Sequence, residues 1–182
     1  MTTLADGTVE TLGDGRSTIR FERRLAHPIE RVWEAITDPA QVIRWWGKLD
    51  SDMAEGGKFS LLWLNEGDEG ENSGFRGTLT EFDPPRVLET RGVWGAEGEA
   101  WGETATLLRF ELEPQGEGTI LRFINTLELP DEFAVKTPAG WHWHLDALAG
   151  VLDGAPDRNL ASVEGWEPIH EAYVEKLEPA QP

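Results

Sequence analysis

Residues 21–47, FERRLAHPIERVWEAITDPAQVIRWWG, decide the reading of this chain. They open inside a strand. In Ser17–Leu25, Ile19, Phe21 and Leu25 fall on one face, and Arg20, Glu22 and Arg24 on the other. Arg23 interrupts the apolar face. Two short helices follow. Pro28 and Pro39 stand where a first helical residue belongs, because the N–H that proline lacks has no partner there anyway. Ile29, Val32, Trp33 and Ile36 recur at helical spacing and should face a core. Asp38 is placed to cap the second helix, and Gln41, three residues on, to complete a capping box. Gly47 ends it, which leaves Trp45 and Trp46 at a junction between elements.

Upstream, residues 1–16 (MTTLADGTVETLGDGR) are polar and glycine-bearing without a sustained period, and read as a flexible N-terminal arm. Downstream, from Lys58 to Leu127, strand-like runs alternate with turns. Phe59, Leu61 and Trp63 share one strand face; Leu108, Phe110 and Leu112 share a second; Leu121, Phe123 and Leu127 a third. FRGTLTEF (75–82) and RVLETRGVW (86–94) are less regular, as bulged strands are, and Asp83-Pro84-Pro85 between them signals a turn. The acidic, glycine-rich stretches 65–72 and 95–103 read as mobile loops.

The period then changes. Thr137 as cap and Pro138 as first residue would open a long helix through GWHWHLDALAGVLDG (140–154). Trp141, Leu145, Leu148 and Leu152 line one side of it, with His144 at the edge and Trp143 nearly opposite. His142 and Asp146 lie on the other flank and read as an exposed i,i+4 pair. Trp166, Ile169, Tyr173 and Leu177 mark a further amphipathic helix, under which Trp143 should pack, and residues 179–182 a frayed end.

Strand, two short helices, antiparallel strands and a long helix make an α+β domain. A sheet with one apolar face needs a cover, the long helix supplies it, and the space between them is the natural ligand site. Composition limits what that site does. The 182 residues hold 16 Lys+Arg against 34 Asp+Glu, a formal charge of −18. Such an acidic surface disfavours nucleic acid and anionic membrane as partners. With no cysteine, and four histidines in no metal-binding spacing, neither a metal nor a cofactor is expected. No leader or spanning segment is visible, so a cytoplasmic location is expected. Nine tryptophans beside one tyrosine point to a roomy, aromatic-lined interior.

Four stretches in order carry a resemblance: residues 21–47, GGKFSL (56–61), GTLTEFDPPRVLE (77–89) and GWHWHLDALAGVLDG (140–154). On them the chain resembles the SRPBCC (START-like, birch-pollen-allergen-like) superfamily. The branch is that of homologues of the activator of the ninety-kilodalton heat-shock protein ATPase. The resemblance implies a helix-grip fold over residues 17–178. In it, a curved antiparallel sheet of about six or seven strands wraps around the long C-terminal helix, enclosing a cavity. Members of the superfamily bind lipids, sterols and polyketides, and some cyclise polyketides.

The expected role is therefore to bind a small hydrophobic or aromatic molecule, without clear catalytic machinery. Candidate cavity residues are Phe59, Leu61, Trp63, Leu108, Phe110 and Phe123 from strands, and Trp141, His144, Leu145 and Leu148 from the helix. Two alternatives stay open. In a cyclase or hydratase, Arg23, Asn125 and His144 would converge to polarise a carbonyl. In a chaperone-regulating module, the acidic surface would meet a protein partner. An inward Arg23 needs a carboxylate, a bound anion or water, and Glu81 and Glu89 are candidate carboxylates; otherwise it sits at the barrel end and reaches solvent.

Overall fold

The alternation read along the strands builds one eight-stranded antiparallel sheet in the order β1-β2-β8-β7-β6-β5-β4-β3. A computed structural model describes residues 7–63, 74–95, 104–128, 133–160, 162 and 164–177. The loop expected at 65–72, most of that at 95–103, and the end at 179–182 lie outside these residues. The strands are β1 (Thr8–Thr11), β2 (Arg16–Leu25), β3 (Lys48–Ser51), β4 (Lys58–Leu62), β5 (Gly74–Asp83), β6 (Val87–Trp94), β7 (Thr104–Gln115) and β8 (Gly118–Glu128). The helices are α1 (Ile29–Thr37), α2 (Pro39–Val42), α3 (Lys136–Leu152) and α4 (Trp166–Leu177). No described helix is long and apolar enough to cross a membrane.

The strand count exceeds the expected six or seven, and part of the difference lies in the supposed arm. Thr8–Thr11 pair with β2, setting Val9 opposite Ile19. Four residues are too few to show a period, so the sequence hid this strand. Ahead of it, the Gly7 N–H donates to the Tyr173 hydroxyl at 2.6 Å, and Lys176 donates to the Gly7 carbonyl at 3.1 Å. That end is fastened to α4.

Along β2, β8 and β7 the inward residues match the reading. Phe21 lies opposite Phe123, and Phe123 opposite Phe110. β5 carries the expected irregularity, between Leu79 and Glu81. Gly77 and Gly92 face each other across β5 and β6. A Cβ on Gly92 would fall 2.1 Å from the Arg76 carbonyl oxygen, and one on Gly77 2.2 Å from that of Arg91. The missing side chains let the backbones crowd together there, as a tightly bent sheet requires.

The helices cap themselves differently from the expectation. Asp38 does accept from the Ala40 N–H, at 2.9 Å. Its own N–H donates to the Glu34 carbonyl and closes α1, so no orphan donor remains for Gln41 to cap. Gln41 accepts from Arg31 and Arg44 instead. Thr137 is not a cap either: α3 begins two residues earlier than expected, at Lys136, with Val135 at the N-cap and no side-chain cap bond. α3 is buried nearly all round, between the sheet and the other helices, so Trp143 and His142 are enclosed along with the predicted stripe. Trp143 donates to the Glu164 carbonyl at 2.9 Å, just before α4, in line with the packing expected for it.

Candidate ligand-binding site

Between α3 and the sheet lies a cavity of about 110 Å³, partly open to solvent. Four of its lining residues are tryptophans: Trp46 after α2, Trp63 after β4, Trp94 at the end of β6 and Trp141 on α3. Trp63 and Trp94 stack with centroids 4.9 Å apart and planes 19° apart. Trp141 stands 5.4 Å from Trp46 and 6.2 Å from Trp94, tilted against both. Leu127, Lys136, Thr137, Gly140 and His144 complete the lining, and exposed Lys136 marks its open side.

Hydrogen bonds from neighbouring elements aim these rings. Asn125, fully buried on β8, donates through Nδ2 to Thr106 Oγ1 at 2.7 Å and to the Leu107 carbonyl at 3.0 Å. Its Oδ1 is thereby fixed as an acceptor, and Trp141 Nε1 donates to it at 3.0 Å. Trp45 ties the junction together: its Nε1 donates to the Ala35 carbonyl at 2.9 Å, and its own carbonyl accepts from His144 Nδ1 at 2.8 Å. That last bond places the His144 proton on Nδ1 and leaves Nε2 bare. Burial pushes the His144 pKa down to about 4, against the raising effect of the Trp45 carbonyl. At neutral pH the ring is uncharged.

Three polar atoms on lining residues have no partner. Trp46 Nε1, Trp63 Nε1 and Thr137 Oγ1 are buried and make no hydrogen bond. A buried donor without an acceptor costs about 1–3 kcal/mol, and folded proteins keep few of them. The Thr137 hydroxyl is free because the backbone beside it is already inside the helix.

Of the candidate cavity residues, Trp63, Trp141 and His144 line this space. Phe59, Leu61, Leu108, Phe110, Phe123, Leu145 and Leu148 lie instead in the packed core. Phe123 backs Trp141 at 4.2 Å, and Phe110 and Phe59 back Trp46 at 5.9 and 6.1 Å. Strand alternation tells which side of a sheet a residue faces, but not where along the sheet the helix lifts away. Trp94 was missed for the same reason, whereas Trp46 lies on no strand and Thr137 was read as a helix cap. The adjacent Trp45-Trp46 before Gly47 was the signal that could have found Trp46.

Arg23, Asn125 and His144 do not converge. Arg23 does not reach solvent: it is 1% exposed, 3.5 Å from Asp146 and over the Phe21 ring at 5.0 Å. Glu81 and Glu89 are not its partners, because register puts them on the outer face. There Arg109 donates to both, at 2.5 and 2.9 Å. Burial alone would raise the Glu89 carboxyl, yet hydrogen bonds from Thr80, Arg109 and Arg91 outweigh it and hold it below the usual range. His142 and Asp146 are not an exposed pair either. Asp146 lies 3.4 Å from His142 Nε2, and His142 Nδ1 meets the Tyr173 hydroxyl at 3.2 Å, because α4 covers that flank.

A family model described as activator of Hsp90 ATPase homolog 1-like protein matches residues 26–153. Among solved structures, CalU16 from Micromonospora echinospora is 25% identical, over 95% of this chain and 96% of that one, with a TM-score of 0.67. DynU16, from the dynemicin biosynthetic locus, is 25% identical over 78% of this chain, which spans about half (49%) of that protein, with a TM-score of 0.63. The conserved Enterococcus faecalis protein EF2215, of unknown function, is 20% identical over 94% of this chain and 90% of its own, with a TM-score of 0.64; it shares the fold. None of the curated proteins matches.

Proposed function

The chain belongs to the family of activator of Hsp90 ATPase homolog 1-like proteins, and from that premise we propose that it binds a small hydrophobic or aromatic molecule between α3 and the sheet. The observation that carries this reading is the tryptophan-walled cavity, about 110 Å³ in volume. A closed, dry cavity of about 150 Å³ holds one benzene ring; this space is smaller but partly open, so a single small ring reaching toward the mouth is the upper limit. The placing of DynU16 in a biosynthetic locus is in keeping with a small-molecule role. Binding is favoured over catalysis because two of the three candidate catalytic groups are engaged elsewhere. Arg23 faces Asp146, and Asn125 is spent on Thr106, Leu107 and Trp141. His144, with a pKa of about 4, is a poor base for chemistry at neutral pH.

Native mass spectrometry on freshly purified protein tests this reading, with toluene added where no natural ligand travels along. A small mass that stays with the folded chain and leaves on unfolding is the expected result. A bare chain that also fails to take up toluene would overturn it.

A further inference from the structure

The indole faces of the cavity suit two kinds of guest, a flat aromatic ring or a cation. The charges around them separate the two. Among the described residues no carboxylate lines the cavity, and the one charged lining residue is Lys136, which has no acidic partner among them. A cation would meet a like charge at the mouth. A bare hydrocarbon ring fits the volume but leaves Trp46 Nε1, Trp63 Nε1 and Thr137 Oγ1 unpaired. Three idle donors on one small cavity call for an acceptor, and an anionic one also suits the exposed Lys136 ammonium, which lies over the Phe133 ring at 5.8 Å. His144, neutral, adds no opposing charge.

We infer that the cavity takes a single-ring aromatic carboxylate, its ring among the tryptophans and its carboxylate toward Thr137 and Lys136 at the open side. This rests on the binding role proposed above and narrows its ligand class. The ring supplies the buried apolar area, and the carboxylate supplies acceptors to donors whose desolvation folding has already imposed.

Titrating the full-length protein with benzoate, toluene and benzylammonium, by calorimetry and tryptophan fluorescence, separates the two claims. Benzoate should bind at least tenfold more tightly than either of the others. In Lys136→Gln and Thr137→Val the ratio of benzoate to toluene affinity, each measured on the same variant, should fall several-fold. Both positions keep solvent contact, and near-ultraviolet dichroism checks that each variant is folded. Toluene equal to benzoate, or benzylammonium the tightest, would overturn the carboxylate inference and leave the binding role standing. A benzoate advantage that survives both substitutions would place the anion elsewhere and overturn it too. Failure of all three probes to bind would remove the binding role and this inference together.

Discussion

His142 and His144 stand two residues apart on α3, yet the two flanks they occupy are built on opposite terms. On the His142 flank each polar group meets another: Arg23 faces Asp146, Asp146 faces His142, His142 meets Tyr173, and Tyr173 accepts from Gly7. The Tyr173 hydroxyl meets the ring at Nδ1 and accepts from the Gly7 N–H, so one oxygen ties α3 to the start of the chain. On the His144 flank the ring has one bond, to the Trp45 carbonyl, and the neighbouring donors on Trp46, Trp63 and Thr137 have none. The first flank uses polarity to hold β2, α3, α4 and the chain's start together. The second leaves it unspent beside a space. A polar atom at an apolar position is thus no guide to a site until its partners are known.

Breaking the first flank should have the largest effect. Asp146→Ala takes away the carboxylate facing buried Arg23, and chemical denaturation should show a loss of about 3–5 kcal/mol, the range for stranding a buried charge. Little change would mean that the guanidinium is held by its other contacts.

The next effect belongs to the second flank and is read against pH. His144 stays neutral in the fold down to a pKa of about 4, whereas the unfolded chain takes up that proton near 6.5. Its contribution is therefore complete above pH 6.5 and is lost as pH falls toward 4, about 3 kcal/mol in all. Carboxylates also titrate in that window, so the test is the difference between the wild-type curve and that of His144→Gln. The variant's slope between pH 6.5 and 4 should be shallower. Parallel curves would show that His144 does not titrate in this way.

Tyr173→Phe and Trp141→Phe come third, at about 1–3 kcal/mol each, because each leaves a buried partner unsatisfied. In the tyrosine variant, faster amide exchange at Gly7 should accompany the loss. The smallest effect sharpens the contrast. Trp63→Phe removes a donor that bonds to nothing, so it should cost under about 1 kcal/mol, well below Trp141→Phe. Equal costs would erase the distinction between spent and idle indoles.

How far the sequence went follows the same division. Period-two alternation located the inward residues of β2, β7 and β8, because register fixes a face for the whole strand. The family resemblance added the grip of sheet on helix. Level along the sheet was not legible: Phe110 and Phe123 look like Trp94 in a pattern of alternate apolar residues, yet the first two are packed core and the last borders open space. Partnership was equally hidden. Arg23 and Asn125 interrupt their faces in the same way, and only the fold shows one bound to α3's far flank and the other aiming Trp141. Thr137 failed as a cap for a local reason. Beginning α3 two residues early turned a capping hydroxyl into a cavity hydroxyl.

The stacked pair Trp63–Trp94 has an optical consequence. At a centroid separation of 4.9 Å the two indoles are close enough for their electronic transitions to couple, and so are Trp45 and Trp46 at 5.3 Å. Coupled chromophores in a fixed chiral arrangement add exciton bands in the far ultraviolet, where ellipticity is ordinarily credited to backbone alone. Helix content taken from such a spectrum of this protein would be misjudged. The difference spectrum of Trp94→Phe would isolate the part of the signal that belongs to the rings.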